Sequence, residues 1–472
     1  MASTFFGLET GVRGLLTHQQ ALEVTGQNMS NASTPGYSRQ RAEITATDPY
    51  TEPSLTRLKV AGQMGTGSEV SEVKRIRDQI IDQQIQKQTT TQGYWSTRQD
   101  VLGQAERIIN EPADANIRSE IDAYWAALQE LAKTPESQPT RSTLRQTALT
   151  MTQNIRENYT SLKELRSDTN DKIVSTVTEI NRYADLIAHL NKQIGEITAL
   201  GDHPNDLLDK RDLLVEQLSK EVNISTSFDA LNKITIQING IPLVNGDTAD
   251  PILALSDNNK GMVHLEWSVP RHQNVVVMNG NLAGLLQLRD EDLPKLMDSY
   301  DNISKTLMDE TNRVHRKGYG LDKSTNTSFF KGSGAADIDV TDEIKDTEKG
   351  LNRIAASSDV VGLPGNNVNA QKMADLQFKL LMLDETTTMD GFLGNIIGDL
   401  AEKSLAAQTN STHQTTLLTS LDNRRQSVSG VNLDEETANM VKFQHGYNAA
   451  AKVISTNDAM LDVIINGLKV NP

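Results

Sequence analysis

The chain has 472 residues, a formal net charge of −16 and no cysteine. That length implies roughly two or three domains rather than one simple core. The charge argues against nucleic acid, because no basic stripe stands out to neutralise phosphates, and the missing cysteine excludes disulfides, thiolate catalysis and cysteine-ligated zinc.

The N-terminal stretch carries Leu8, Leu15, Leu22 and Met29 at seven-residue spacing, with Phe5 and Val12 widening the stripe. Such a repeat predicts an amphipathic, coiled-coil-forming helix. His18 occupies a seam position in it, where a polar residue more often sets register than binds a ligand. The helix ends at "NASTPGYSRQ". Pro35-Gly36 suits the centre of a tight turn, Thr34 before the proline is pushed toward extended geometry, and the residues beyond read as extended. The start lacks a basic segment and a continuous apolar run, so no secretory signal is visible. The longest apolar runs, such as Val275 to Met278, are far too short for membrane insertion.

Helices are then expected over 75–88 and 119–133, and Ile173, Ile180, Ile187 and Ile194 form another seven-residue row. The run "NDLLDKRD" at 205–212 mixes charges that pairing along a helix would explain. From about 221 to 284, period-two alternation and Asn-Gly turns call for strands and hairpins. Helix resumes over 290–317, with Pro294 in a first turn, and again around 372–383 and 392–425.

The C-terminal end repeats the seven-residue pattern with Leu433, Met440, Tyr447, Ile454, Leu461 and Leu468, joined three positions on by Phe443, Ala450 and Ile464. Asn432 is placed to cap this helix while Glu435 reaches back. The fold class is therefore mainly α with an inserted β-rich domain: an elongated helical bundle plus N- and C-terminal coiled-coil-forming helices. The expected divisions are 1–40 (N-terminal assembly helix and Pro-Gly turn), 41–220 (bundle, first part), 221–288 (β-rich insertion), 289–430 (bundle, second part, with a mixed segment at 318–369) and 431–472 (C-terminal assembly helix).

Chemistry finds no foothold. None of the eight histidines falls in a metal-binding spacing; His264 and His272 read as ordinary residues of the β segment. Asp337, Asp339, Asp342 and Glu343 lack the glycine and spacing of a calcium loop. Phosphate-cradling loops and nucleophile elbows are also missing, so the expectation is no enzyme, no cofactor and no metal. A narrow seam stabilises a lone helix poorly, so the terminal seams would pair with each other, with copies of themselves or with a partner, or else close the central bundle. The hard stop after Asn31 favours the pairing readings over the last.

Together "ALEVTGQNMSNASTPGYSRQ" and "SGVNLDEETANMVKFQHGYNAAAKVISTNDAMLDVIING" resemble the flagellar hook-associated protein 1 (FlgK) family. The shared axial-protein turn pattern falls on Asn28, Asn31, Thr34, Pro35, Gly36 and Tyr37, and "SRQ", "NDLLDKRDLLVEQLS" and "GLLQLRDEDLP" fit the same family. Some members carry a further β domain after the equivalent of "TSFF" (327–330); this chain has only a short connection there. His445 and Gly446 replace the more usual pair, at what reads as an exposed helix position. The resemblance implies a structural junction ring between hook and filament in the bacterial flagellum. Its partners would be the flagellar hook protein, hook-associated protein 3 and copies of itself. The export chaperone FlgN would bind the C-terminal helix, and type III export would carry the chain outside the cell. An assembly interface is expected at Leu8, Leu15, Leu22, Met29, Leu433, Met440, Phe443, Tyr447, Ile454, Leu461 and Leu468, exposed or poorly ordered in the monomer and buried on assembly.

Overall fold

In the computed structural model, the described residues are 5–50, 65–110, 116–256, 261–269 and 273–467; Leu468 and His272 lie outside them. The N-terminal helix α1 (Phe6–Ser30) is followed by a hairpin of β1 (Gln40–Ala46) and β2 (Ser68–Arg75), antiparallel with Gln40 opposite Arg75. The residues around Arg75 are therefore strand, not the start of a helix. Asp78 Oδ1 accepts the Ile80 N–H at 2.9 Å, and α2 (Gln79–Asn110) begins just after it. That is the side-chain capping that lets a helix start abruptly.

Helices α3 (Ile117–Lys133), α4 (Gln138–Ala199) and α5 (Asn205–Glu221) follow. Helix α4 runs unbroken for 62 residues and lines two separate cores. Its first half buries Leu144, Met151, Ile155 and Leu162 with Tyr124, Trp125, Tyr300 and Leu307. Its second half buries the Ile173, Ile180, Ile187 and Ile194 row. Ile173, Ile180 and Ile187 pack into a core with Ile236, Leu243 and Trp267 of the strands and Val215 and Leu218 of α5, so this heptad row is covered by strands and helix together.

Those strands are β3 (Ser225–Phe228), β4 (Ile234–Ile238), β5 (Ile241–Asn245) and β6 (Thr248–Ala249) in one antiparallel sheet, with β7 (Ile252–Ser256) and β8 (Val263–Trp267) as a second hairpin. Asn239 and Gly240 both take positive φ, at 48° and 84°. They make the two-residue turn that matches strand twist. Exposed His264 sits 3.2 Å from Glu266 on the same strand.

The next helix starts earlier than the pattern around Asp290 suggested. Helix α6 (Asn281–Gln287) continues through a π turn, Leu288–Asp292, into α7 (Leu293–His315). The wider turn falls just ahead of Pro294, whose nitrogen cannot donate. Short pieces follow: β9 (Phe330–Lys331), β10 (Asp339–Val340), α8 (Asp342–Lys345) and α9 (Val368–Ala374). The helix expected over 372–383 ends at Phe378 after a 3-10 turn, where Lys379 turns extended, and Leu383, Asp384 and Glu385 beyond it take positive φ in a tight loop. Helix α10 (Met389–Ser429) then lies along α2, and α11 (Leu433–Gly467) closes the chain. A buried ion pair, Arg98–Asp292 at 2.8 Å with Lys403 at 3.3 Å, ties α2, the π turn and α10 together.

Candidate assembly interface

Helix α1 stops because its end is satisfied by polar groups close at hand. The Asn31 N–H donates to Gln27 O, and its own carbonyl accepts from Thr34 N at 2.9 Å. Tyr37 N then donates to Thr34 O across Pro35 and Gly36, and Gly36 has φ +80°. This is a type II turn, with proline and glycine in the two positions that favour them. A Cβ on Gly36 would come within 3.1 Å of Leu213, so the turn rests on α5.

Asn28 is the buried centre of this corner. Its Oδ1 accepts from Gln40 N and the Tyr37 hydroxyl, both at 2.9 Å. Its Nδ2 donates to Gln40 O at 2.8 Å and Glu436 Oε2 at 3.0 Å. Every hydrogen-bonding site of the amide is occupied, as a buried amide requires. Burial, then the charges of Asp206, Asp209 and Glu436, raise the pKa of the Tyr37 phenol and keep it a donor.

The motif residues beyond the turn each reach a different element. Ser38 donates through its N–H (2.9 Å) and hydroxyl (2.8 Å) to Asp209 of α5. Arg39 pairs with Glu436 at 2.7 Å and Glu435 at 2.8 Å. Gln40 donates to Asp206 at 2.9 Å. Arg75 and Arg77 add pairs to Asp209 and Asp212. Two expectations change here. The charges of 205–212 pair mainly between elements rather than along the helix, with Asp209 and Arg211 both on the buried side of α5. Asn432 does cap α11 through the Asp434 N–H at 2.9 Å, but Glu435 turns to Arg39.

Helices α1 and α11 pack antiparallel. Gly11 faces Ile454, Gly14 faces Ala450 and His18 lies over Gly446, with the His18 and Phe443 rings 6.3 Å apart. The fully buried residues of α1 are Gly11, Thr17, Ala21, Thr25 and Asn28. Thr17 donates to Ser68 O of the hairpin at 2.8 Å. Small residues permit this close approach, and the longer side chains flank it. Leu8, Leu15, Leu22 and Met29 are thus half-buried, as are Met440, Phe443, Tyr447, Ile454 and Leu461, while Leu433 is exposed. Gly446 is not at an open position: a Cβ there would sit 2.5 Å from His18 Nε2. Apolar surface remains on the pair, with Leu16, Val453, Met460, Val463 and Ile465 all 45–69% exposed, although Val453 flanks Gly11. The only fully buried side chain among the described residues of α11 is Glu436.

Among the described residues, no cluster of His, Cys, Asp or Glu could hold a metal ion, and no helix is long and apolar enough to cross a membrane.

Comparisons with known proteins agree along the chain. The family described as "Flagellar hook-associated protein FlgK helical domain" matches residues 102–330. "Flagella basal body rod protein" matches 8–37, and "Flagellar basal body rod FlgEFG protein C-terminal" matches 424–467. The solved flagellar hook junction protein FlgK from Burkholderia pseudomallei shares the fold with a TM-score of 0.63 at 14% identity, covering 73% of this chain and 100% of that one. Flagellar hook-associated protein 1 of Salmonella typhimurium is 25% identical over 96% of this chain and 98% of its own. That of Bacillus subtilis is 32% identical over 100% of this chain and 99% of its own. With likeness of that degree running end to end through the turn, the helical body and both terminal helices, the chain belongs to the flagellar hook-associated protein 1 family.

Proposed function

We propose that this protein is a structural component of the bacterial flagellum, forming the junction ring between hook and filament through its paired terminal helices. The supporting observation is the apolar surface that the α1–α11 pair leaves uncovered, with Val463 at 69% and Ile465 at 63% exposure. Side chains of this kind at the surface of a paired helix mark an interaction site. The half-buried seam residues Leu8, Leu15, Leu22, Met29, Met440, Phe443, Tyr447, Ile454 and Leu461, with exposed Leu433, complete their burial when copies and neighbours close over the pair; Leu468 continues the same sequence row. Hook protein packs on one side of the ring and hook-associated protein 3 on the other. Before export by the type III apparatus, the chaperone FlgN covers the C-terminal helix, and the absence of cysteine suits passage as an unfolded chain.

The test adds purified protein to isolated hook–basal bodies and images the distal hook ends by electron microscopy, beside a Met460→Glu/Val463→Glu variant. Both substituted residues are more than half exposed, and neither meets a glycine of α1; unchanged helicity of the variant by circular dichroism is the control. Capping by the native chain and not by the variant is the expected result. Equal capping by both rejects the terminal face as the assembly surface. Filaments of the native chain alone would favour a hook-, rod- or flagellin-like role instead.

A further inference from the structure

Glu436 is a carboxylate in a seam row. It shares the seven-residue row of Phe443, Ala450 and Ile464, yet it is only 2% exposed. A buried charge is tolerated only when its lone pairs are matched. Here Oε2 accepts from Asn28 Nδ2, and Oε1 accepts from Arg39 Nε at 2.8 Å and pairs with Nη2 at 2.7 Å. Neither partner is free to move. Asn28 is held by Tyr37 and Gln40, and the Arg39 N–H donates to Ser429 O at 2.9 Å. The residue before it, Ser38, is fixed to Asp209 of α5 by two hydrogen bonds. A continuous polar path therefore runs from α5, through the Pro-Gly turn, to the first turns of α11.

We infer that Glu436 is a positioning residue for the C-terminal helix and that its hold is set remotely, through Ser38, by Asp209. Seating the turn on Asp209 presents Arg39 and Asn28 in the geometry that satisfies Glu436. When the turn leaves its seat, the carboxylate loses partners it needs in order to stay buried, and the first turns of α11 detach rather than keep an unmatched charge inside. The junction is thus a two-state latch that makes docking of the last helix conditional on closure of a turn about four hundred residues earlier in the chain. Asp209 itself bonds Ser38, Arg75 and Arg77, all on the N-terminal side of the junction.

Hydrogen exchange on the full-length free monomer tests this independently of the junction role. Wild-type amides over 436–446 are expected to be more protected than those beyond 458. Glu436→Ala lowers that protection by about tenfold, the effect of losing a buried charged hydrogen-bonding group. Asp209→Asn lowers it in the same region, by a smaller factor. The double variant loses no more than Glu436→Ala alone, because the two act through one path. Ser38→Ala, which removes only the hydroxyl bond, replaces Asp209→Asn if that variant unfolds α5. Unchanged exchange over 436–446 when the turn is unseated overturns the inference, as does additive loss in the double variant. Wild-type amides over 436–446 exchanging like an unstructured peptide overturn it too.

Discussion

Two heptad rows in this molecule look alike in sequence and end in opposite surroundings. Ile173, Ile180, Ile187 and Ile194 of α4 are all fully buried. Met440, Tyr447, Ile454 and Leu461 of α11 are half-buried at most. The difference is one of neighbours. The α4 row is covered by elements of its own chain, including strands of the insertion, whereas the α11 row has only the narrow, small-residue face of α1. Seven-residue spacing thus identifies a seam without saying whether its cover is encoded in the same chain.

The most severe way to probe the contrast is truncation at matched positions. Ile187→Ala leaves a cavity in a close-packed core and is expected to cost about 2–5 kcal/mol in denaturant unfolding of the monomer. Ile454→Ala is expected to cost about 1 kcal/mol or less in the monomer and to weaken hook capping instead. Equal monomer losses at the two sites would erase the distinction.

Acid should separate the regions next. His315, in the body, is fully buried; its Nδ1 lies 2.6 Å from Thr327 O and its Nε2 accepts from Ala355 N. Burial, the largest effect, depresses its pKa from 6.5 to about 4. A depressed pKa means that the unfolded chain binds the proton more readily. The stabilisation is therefore complete above pH 6.5 and is lost as pH falls toward 4, a change on the order of 3 kcal/mol. His315→Gln is expected to lose stability at neutral pH and to flatten the slope of unfolding free energy across that window. An unaltered slope would remove His315 as its source.

The smallest effect concerns the helix pair itself. Alanine normally stabilises a helix interior over glycine by about 1 kcal/mol. At Gly446, the His18 ring occupies the space a Cβ needs. Gly446→Ala is expected to give no gain in α11 protection in the native background, and a gain of about 1 kcal/mol beside His18→Ala. The same gain in both backgrounds would mean that His18 does not use the notch.

Much of this architecture is legible in the sequence because periodicity reports burial. The terminal helices, the Pro-Gly turn, the strands with their Asn-Gly hairpins and the helical body all follow from it. The hairpin partner of β1 escapes because "SEVSEVKR" presents serines and glutamates, with few apolar residues to betray a strand. The polar junction escapes as a unit because "SRQ", "NDLLDKRD" and "VNLDEE" lie far apart, and hydrogen-bond complementarity has no period. One signal does exist. Asp209 and Arg211 fall on the same side of α5 as Leu208, Val215 and Leu218, and Glu436 falls in the row of Phe443 and Ala450. A charge in an apolar row points to a buried partner: Asp209 has Ser38 and Glu436 has Asn28, whereas Arg211 has half-buried Asp212.

Helix α4 has a mechanical meaning as well. At 62 residues it is about 90 Å long, and it contributes side chains to both hydrophobic cores. A hydrogen-bonded rod that belongs to two cores at once leaves no soft joint along its length. Twist or tension applied at one core reaches the other through the backbone of a single strut, so the body bears load as one piece.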